Sequence, residues 1–319
     1  MNKYNLFPLY IDKNKDDYIR PFGMYNSGII CYFNSAMQCL LSCGSFVQYV
    51  MNDFYSNDML DVIKVFIKSN TDNIEGSKIS YDLGLFNIFM SKIKNKFRKD
   101  INYNNFGYNQ EDCCEFITIL LDVINDEFVY SLFRHVYKCK LFCIKCRKSK
   151  ETKEDGGFIF NINKNLIDKN LIKTEKVVNR LDHNLTKYIR NNYSLCSGIE
   201  CDNCKSTEII KTSQLTLVPS IVLVAFNKYE EKYDYDYPMS LDFINDSLKK
   251  NKHIFKCIST IHHNGTKNFG HYYSRCLRGD NWYEINDTSV NKLDDSAIIS
   301  DKKSNVYVVA YHYIDTVSY

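Results

Sequence analysis

Proline is scarce in this chain of 319 residues, with only 4, and tryptophan occurs once. No Pro- or Gly-rich linker divides the sequence, and neither an internal repeat nor a low-complexity tract is present. No sign of charge dominates either. Lys+Arg 41 against Asp+Glu 38 gives a net charge of +3, which offers no electrostatic case for nucleic acid. The basic run KIKNKFRK at 92–99 therefore reads as a solvated face. An apolar stretch of ~18 residues, the minimum for a bilayer span, is also missing. The opening MNKYNLFPLYIDKNK has no apolar core of a secretory signal. The 13 cysteines then fit a reducing compartment, so the expectation is an intracellular protein of the cytoplasm, with the nucleus also open. Hydrophobic residues at 45% allow one large core or two small ones.

Chemistry enters at residues 23–40, GMYNSGIICYFNSAMQCL. A loop bearing Gly23, Asn26, Ser27 and Gly28 leads into Cys31, after which Tyr32, Phe33, Ala36, Met37, Leu40 and Leu41 recur at helical spacing. Cys31 thus opens a predicted amphipathic helix, where free backbone N–H groups and the positive end of the dipole favour a thiolate. Asn26 is placed to aim an amide at a developing oxyanion. A buried structural cysteine, like Cys39 and Cys43 further along, is the alternative.

A second segment at 262–290, HHNGTKNFGHYYSRCLRGDNWYEINDTSV, decides between them. Alternating aromatic and β-branched residues predict two strands joined at Arg278-Gly279-Asp280. The hairpin brings His271 to one strand, and Asn286 and Asp287 to the end of the other. An imidazole base held in one tautomer by an amide or carboxylate is what a thiol nucleophile requires. His263 is a rival base, at the mouth of a Gly-containing loop. Two CxxC pairs, Cys143/Cys146 and Cys201/Cys204, supply four thiolates for one tetrahedral ion, with Cys139 and Cys196 nearby as less well-spaced competitors. Residues 21 to about 132 read as helical, including stretches at 59–67, 85–97 and 112–128, with a further helical piece at 185–190. Short strands follow from 135 and dominate from 213, so periodicity alone predicts an α+β fold.

Together these segments resemble the ubiquitin-specific proteases. Gly23, Asn26, Gly28, Cys31, Tyr32, Asn34, Ser35, Gln38, Cys39 and Leu40 match that family's Cys box, and His263, Gly265, Gly270, His271, Tyr272, Trp282, Tyr283, Asn286 and Asp287 its His box. NQEDCCEFITILLDVI at 109–124 is similar to the family's intervening helix. The resemblance implies a papain-like cysteine protease fold with a helical thumb, an antiparallel palm and zinc-bearing fingers at about 135–215, within a catalytic domain at 21–316 preceded by a tail at 1–20. It implies a deubiquitinating thiol hydrolase that cleaves after ubiquitin's C-terminal glycine. In it Cys31 is the nucleophile, His271 the base and acid, Asn286 the orienting residue with Asp287 beside it, and Asn26 the oxyanion donor. Asp112 is expected to meet the arginines of ubiquitin's tail, and Tyr272 to line the tail channel. One structural Zn2+ would sit on Cys143, Cys146, Cys201 and Cys204. Expected partners are ubiquitin and ubiquitinated proteins, bound by a monomer, with neither nucleic acid nor membrane.

Ile29-Ile30 stands where the family has Asn-Thr or Ala-Thr, which opens the alternatives of a narrowed cleft or a misaligned Cys31, and so of a catalytically weak ubiquitin-binding module. Another ubiquitin-like modifier as substrate is a further alternative. Phe226-Asn227-Lys228-Tyr229 departs from the family's Leu-Lys-Arg-Phe. A zinc-ribbon interaction protein would explain the CxxC pairs but neither catalytic box.

Overall fold

The computed structural model describes residues 19–52, 57–71, 78–97, 106–152, 155–162, 185, 189, 191–196, 198–226, 237–244, 251–266, 269–294 and 305–318. The expected tail at 1–20, apart from Ile19 and Arg20, and residues 227–229 of the FNKY segment lie outside them. So does most of the helical piece at 185–190, of which Leu185 and Ile189 are helical.

Helices come first: α1 (Cys31–Leu40), α2 (Gly44–Met51), α3 (Asp58–Thr71), α4 (Lys78–Lys96), α5 (Cys113–Ile124) and α6 (Glu127–Phe133). The sequence predicts an amphipathic α1, but all ten of its residues are buried. The helix lies between α5 and the large sheet, so its polar side chains have to be satisfied internally. Gln38 donates to the Phe22 carbonyl at 2.8 Å and accepts from the buried Arg278 at 2.9 Å. Phe33 meets Phe66, Phe86, Phe89 and Phe116 edge-on at 5.2–6.5 Å between ring centres. Cutting such a fully enclosed ring to alanine costs ~3–5 kcal/mol, so this cluster fixes α1 against α3, α4 and α5. The predicted helix at 112–128 is two helices. Asn125 adopts a left-handed φ of 50° after α5, and Asp126 then caps α6 by accepting from the Val129 N–H at 2.9 Å.

Strands β1 (His135–Cys143), β2 (Ser149–Glu151), β3 (Asp155–Gly157), β4 (Ile159–Ile162), β5 (Asn191–Cys196), β6 (Ile209–Leu217) and β7 (Ile221–Phe226) follow. They are succeeded by β8 (Ser240–Ile244), β9 (Asn251–Gly265), β10 (Gly270–Arg278), β11 (Asn281–Asn286), β12 (Ser289–Leu293) and β13 (Val306–Ser318). A sheet ordered β2-β1-β6-β5, with β3 on β1, forms the fingers. The palm is ordered β12-β11-β10-β9-β13-β7-β4, with β8 on β9, and among the described residues only its β4–β7 pair is parallel. Helices cover one palm face. On β7, Ile221, Leu223 and Ala225 join that helical core, while Val222, Val224 and Phe226 join a second core on the other face. A strand buried on both faces reads as an unbroken apolar run, here IVLVAF. This is the α+β, thumb, palm and fingers architecture that the resemblance implies.

Candidate active site

Cys31 occupies the first turn of α1, whose first four backbone N–H groups have no partner within the helix. The loop before it is braced by Asn26. Its Oδ1 accepts from the Gly28 N–H at 2.8 Å and the Ile30 N–H at 3.1 Å, and Gly28 takes a φ of 110°, a conformation that disfavours any side chain. Ile30 turns inward and is 1% exposed. The Ile-Ile departure therefore feeds the core, and Cys31 stays close enough to His271 to raise its pKa.

The predicted hairpin is present. β10 and β11 pair from Arg278/Asn281 back to Ser274/Ile285 around the Gly279-Asp280 turn. His271 Nε2 is 2.6 Å from Asn286 Oδ1, which leaves the other ring nitrogen for Cys31. Interaction with Cys31 is the largest cause raising the His271 pKa, to about 9. Partial burial opposes it, while Asn286 and the charges of Cys31 and Asp287 add to it. Asp287 stands 3.8 Å from His271 Nε2 and is held by two amides, Asn26 Nδ2 to Oδ2 at 2.9 Å and Asn34 Nδ2 to Oδ1 at 2.8 Å. Its carbonyl accepts from the Met24 N–H at 2.8 Å, which pins the Cys31 loop to the end of β11. Asn34 was visible in the Cys box without a role, and its role is to fix Asp287.

His263, the rival base, is a packing residue. It is 7% exposed, lies 4.2 Å from the Tyr272 ring, and fills the space where a side chain at Gly270 would stand, so glycine there permits the close approach. Tyr272, expected to line the narrow tail channel with the Cys31 loop, sits on β10 next to His271. Its ring is 3% exposed, enclosed by His263 and Tyr307, because neighbouring residues on a strand face opposite ways and His271 takes the cleft side. Asp112 caps α5 by accepting from the Cys114 and Glu115 N–H groups at 2.7 and 3.1 Å, and its other oxygen accepts from the Tyr307 hydroxyl. Gln110, which carried no role in the sequence, donates from Nε2 to Cys31 Sγ at 3.3 Å.

At the fingertips Cys143, Cys146, Cys201 and Cys204 bring their sulfurs within 4.8 Å of one another. The two knuckles repeat one backbone pattern. Arg147 N–H bonds the Cys143 carbonyl and Lys205 N–H the Cys201 carbonyl, each at 2.9 Å, with Arg147 and Lys205 both left-handed at φ 57° and 55°. Backbone N–H groups of Cys204 and Asn203 pull the Cys201 thiol down to about 6. Sulfur pairs at 3.5 and 3.6 Å suit four ligands around an ion at ~2.3 Å, which would stand ~3.8 Å apart. These four cysteines form a site able to hold a metal ion. Cys139 instead bonds Ser213 Oγ at 3.4 Å, and Cys196 packs beside the knuckles outside the four-sulfur group.

A cysteine at a helix N-terminus, facing a histidine ordered by an amide on an antiparallel sheet, defines a papain-like thiol hydrolase. The family profile described as "Ubiquitin carboxyl-terminal hydrolase" matches residues 22–311. Ubiquitin carboxyl-terminal hydrolase 8 of Saccharomyces cerevisiae is 23% identical over 346 residues, covering 91% of this chain and 70% of that protein. Ubiquitin carboxyl-terminal hydrolase 17-like protein D of Mus musculus is 20% identical over 323 residues, covering 91% of this chain but only 54% of that protein. Among solved structures, Ubp8 in the SAGA DUB module with Sgf11, Sus1 and Sgf73, bound to monoubiquitin, has a TM-score of 0.67 at 18% identity, covering 92% of this chain and 69% of that one. At that identity the likeness speaks to the fold. The chain belongs to the ubiquitin carboxyl-terminal hydrolase family, and its class is cysteine-type deubiquitinase.

Proposed function

We propose that Cys31 attacks the carbonyl after the C-terminal glycine of ubiquitin, in an isopeptide or a linear peptide bond, with His271 as base and acid and Asn286 orienting it. Cys31 at the start of α1, near enough to be the largest cause of the raised His271 pKa, with His271 bonded to Asn286 at 2.6 Å, carries this reading. The thiolate adds to the carbonyl, and Asn26 donates to the oxyanion. His271 protonates the leaving amine as the C–N bond breaks. Water, deprotonated by His271, then splits the thioester and returns the thiol. Asp287 holds Asn26 in place through its Oδ2. Asp112 caps α5, and the about four lone-pair sites of a carboxylate leave room for a guanidinium of the tail.

The metal held by the four fingertip cysteines is proposed to be one Zn2+, which would close a tetrahedral structural site. Ubiquitin and its conjugates are the proposed partners of a monomeric chain working inside the cell, with residues 21–316 as the catalytic unit and about 135–215 as its fingers. Cleavage of a fluorogenic amide on ubiquitin's C-terminus tests the activity. Turnover by the wild type and none by Cys31→Ala is the expected result. Turnover retained by Cys31→Ala overturns the nucleophile, and turnover of another modifier's reporter in preference to ubiquitin's overturns the substrate.

A further inference from the structure

A nucleophile has to be reached, yet Cys31 is 2% exposed and Tyr272 beside the cleft 3%. The group lying on the Cys31 sulfur is the side chain of Gln110, at 3.3 Å. Gln110 belongs to the loop before α5, and it crosses the cleft to the palm. Its Oε1 accepts from the Gly270 N–H at 3.2 Å, and its Nε2 donates to the Gly270 carbonyl. One amide thus pairs with both the N–H and the C=O of one residue. Two extended chains pair in the same way in an antiparallel ladder, and a glutamine amide has the donor and acceptor chemistry of a peptide.

Gly270 is the residue before His271, so a peptide paired with it would lay its carbonyl beside Cys31. Gln110 occupies that position. The loop carrying it bends at Gly107, whose φ is 86° and whose N–H bonds Glu111 at 3.0 Å. A second tie from thumb to palm, the Tyr307 hydroxyl on Asp112, holds the end of the same loop.

We infer that Gln110 is a latch: its amide stands in for the backbone of the substrate's tail, seals Cys31 in the free enzyme, and is displaced when that tail pairs with Gly270. The inference builds on Cys31 as the nucleophile. Displacement exchanges like bonds for like, so the latch opens at small cost to binding while keeping other electrophiles from the thiol. Each net hydrogen bond of this kind is worth about a two- to tenfold factor.

Iodoacetamide alkylation of Cys31, followed by mass spectrometry of its peptide, reads the latch without ubiquitin. The rate is taken at its pH-independent limit, which removes any change in thiol ionisation. Gln110→Ala should alkylate about tenfold faster than wild type, and the KM for the ubiquitin reporter should fall several-fold without loss of kcat. Gln110→Asn, one methylene too short to span from Cys31 to Gly270, should do the same, and it decides the matter if the alanine variant melts early. An unchanged or slower limiting rate in both variants overturns the latch, as does an unchanged KM with reduced kcat, which would make Gln110 a positioning residue. A wild type that alkylates at Cys31 but does not cleave ubiquitin would sink the proposed activity and leave the latch measurement standing.

Discussion

Replacing Asn26 by alanine separates a loop brace from a catalytic donor, because the side chain does measurable work of both kinds. Two of its bonds, to the N–H groups of Gly28 and Ile30, hold the loop into α1. They are partly solvent-exposed, so each belongs at the low end of the ~0.5–1.5 kcal/mol that a net hydrogen bond contributes, giving ~1 kcal/mol of stability in all. The Nδ2 group has two hydrogens. Asp287 takes one at 2.9 Å, and the other is the one available to an oxyanion. Loss of such a donor costs ~2.7–4 kcal/mol at the transition state, or ~10²–10³ in kcat. Asn26→Ala should therefore lose a few degrees of melting temperature and at least about a hundredfold in kcat, with KM for the ubiquitin reporter little changed. Steady-state kinetics beside a thermal melt reads both. A variant that shows the stability loss but keeps kcat within about tenfold would make Asn26 a brace alone, and the oxyanion assignment would be wrong.

His271→Ala should be as damaging as Cys31→Ala, with Asn286→Ala milder, since members of one catalytic unit do not add; a harmless His271→Ala beside a fatal His263→Ala in kcat assays would exchange the two histidines. The His271 pKa of about 9 lies above its ordinary 6.5, so its stabilisation is complete below pH 6.5 and is lost as pH rises through 9. Cys31→Ala removes the largest cause, and NMR titration should find the imidazole moved down toward 6.5; an unmoved titration would contradict a Cys31–His271 bond. Elemental analysis of reduced, chelator-free protein should find one zinc per chain, and Cys201→Ser should lose it along with fingers stability, whereas full zinc content and unchanged melting in that variant would exclude Cys201 as a ligand.

What the chain order revealed depended on the range of the interaction. Cys31 at a helix start and the His271–Asn286 hairpin are local patterns, set by apolar period and by a two-residue turn, and both stand in the structure as read. The two knuckles are local as well, although only the fold brings Cys143 to Cys204 and Cys146 to Cys201. Asn125-Asp126 carried a stop and a cap signal inside an apolar period, and the period obscured it until the left-handed φ of Asn125 appeared. The packing of Tyr272 against His263 and Tyr307 is a long-range feature that family position does not record. Gln110 was illegible. Its partners Cys31 and Gly270 are 79 and 160 residues away, and no periodicity records a side chain that spans a cleft.

The most direct test of the central claim uses ubiquitin carrying an electrophile in place of its C-terminal carboxylate. A single covalent adduct of one ubiquitin per chain, mapped by peptide mass spectrometry to Cys31 and lost in Cys31→Ala and His271→Ala, is the predicted result. Labelling at any of the other cysteines, or an adduct with another modifier's probe and none with ubiquitin's, would contradict it.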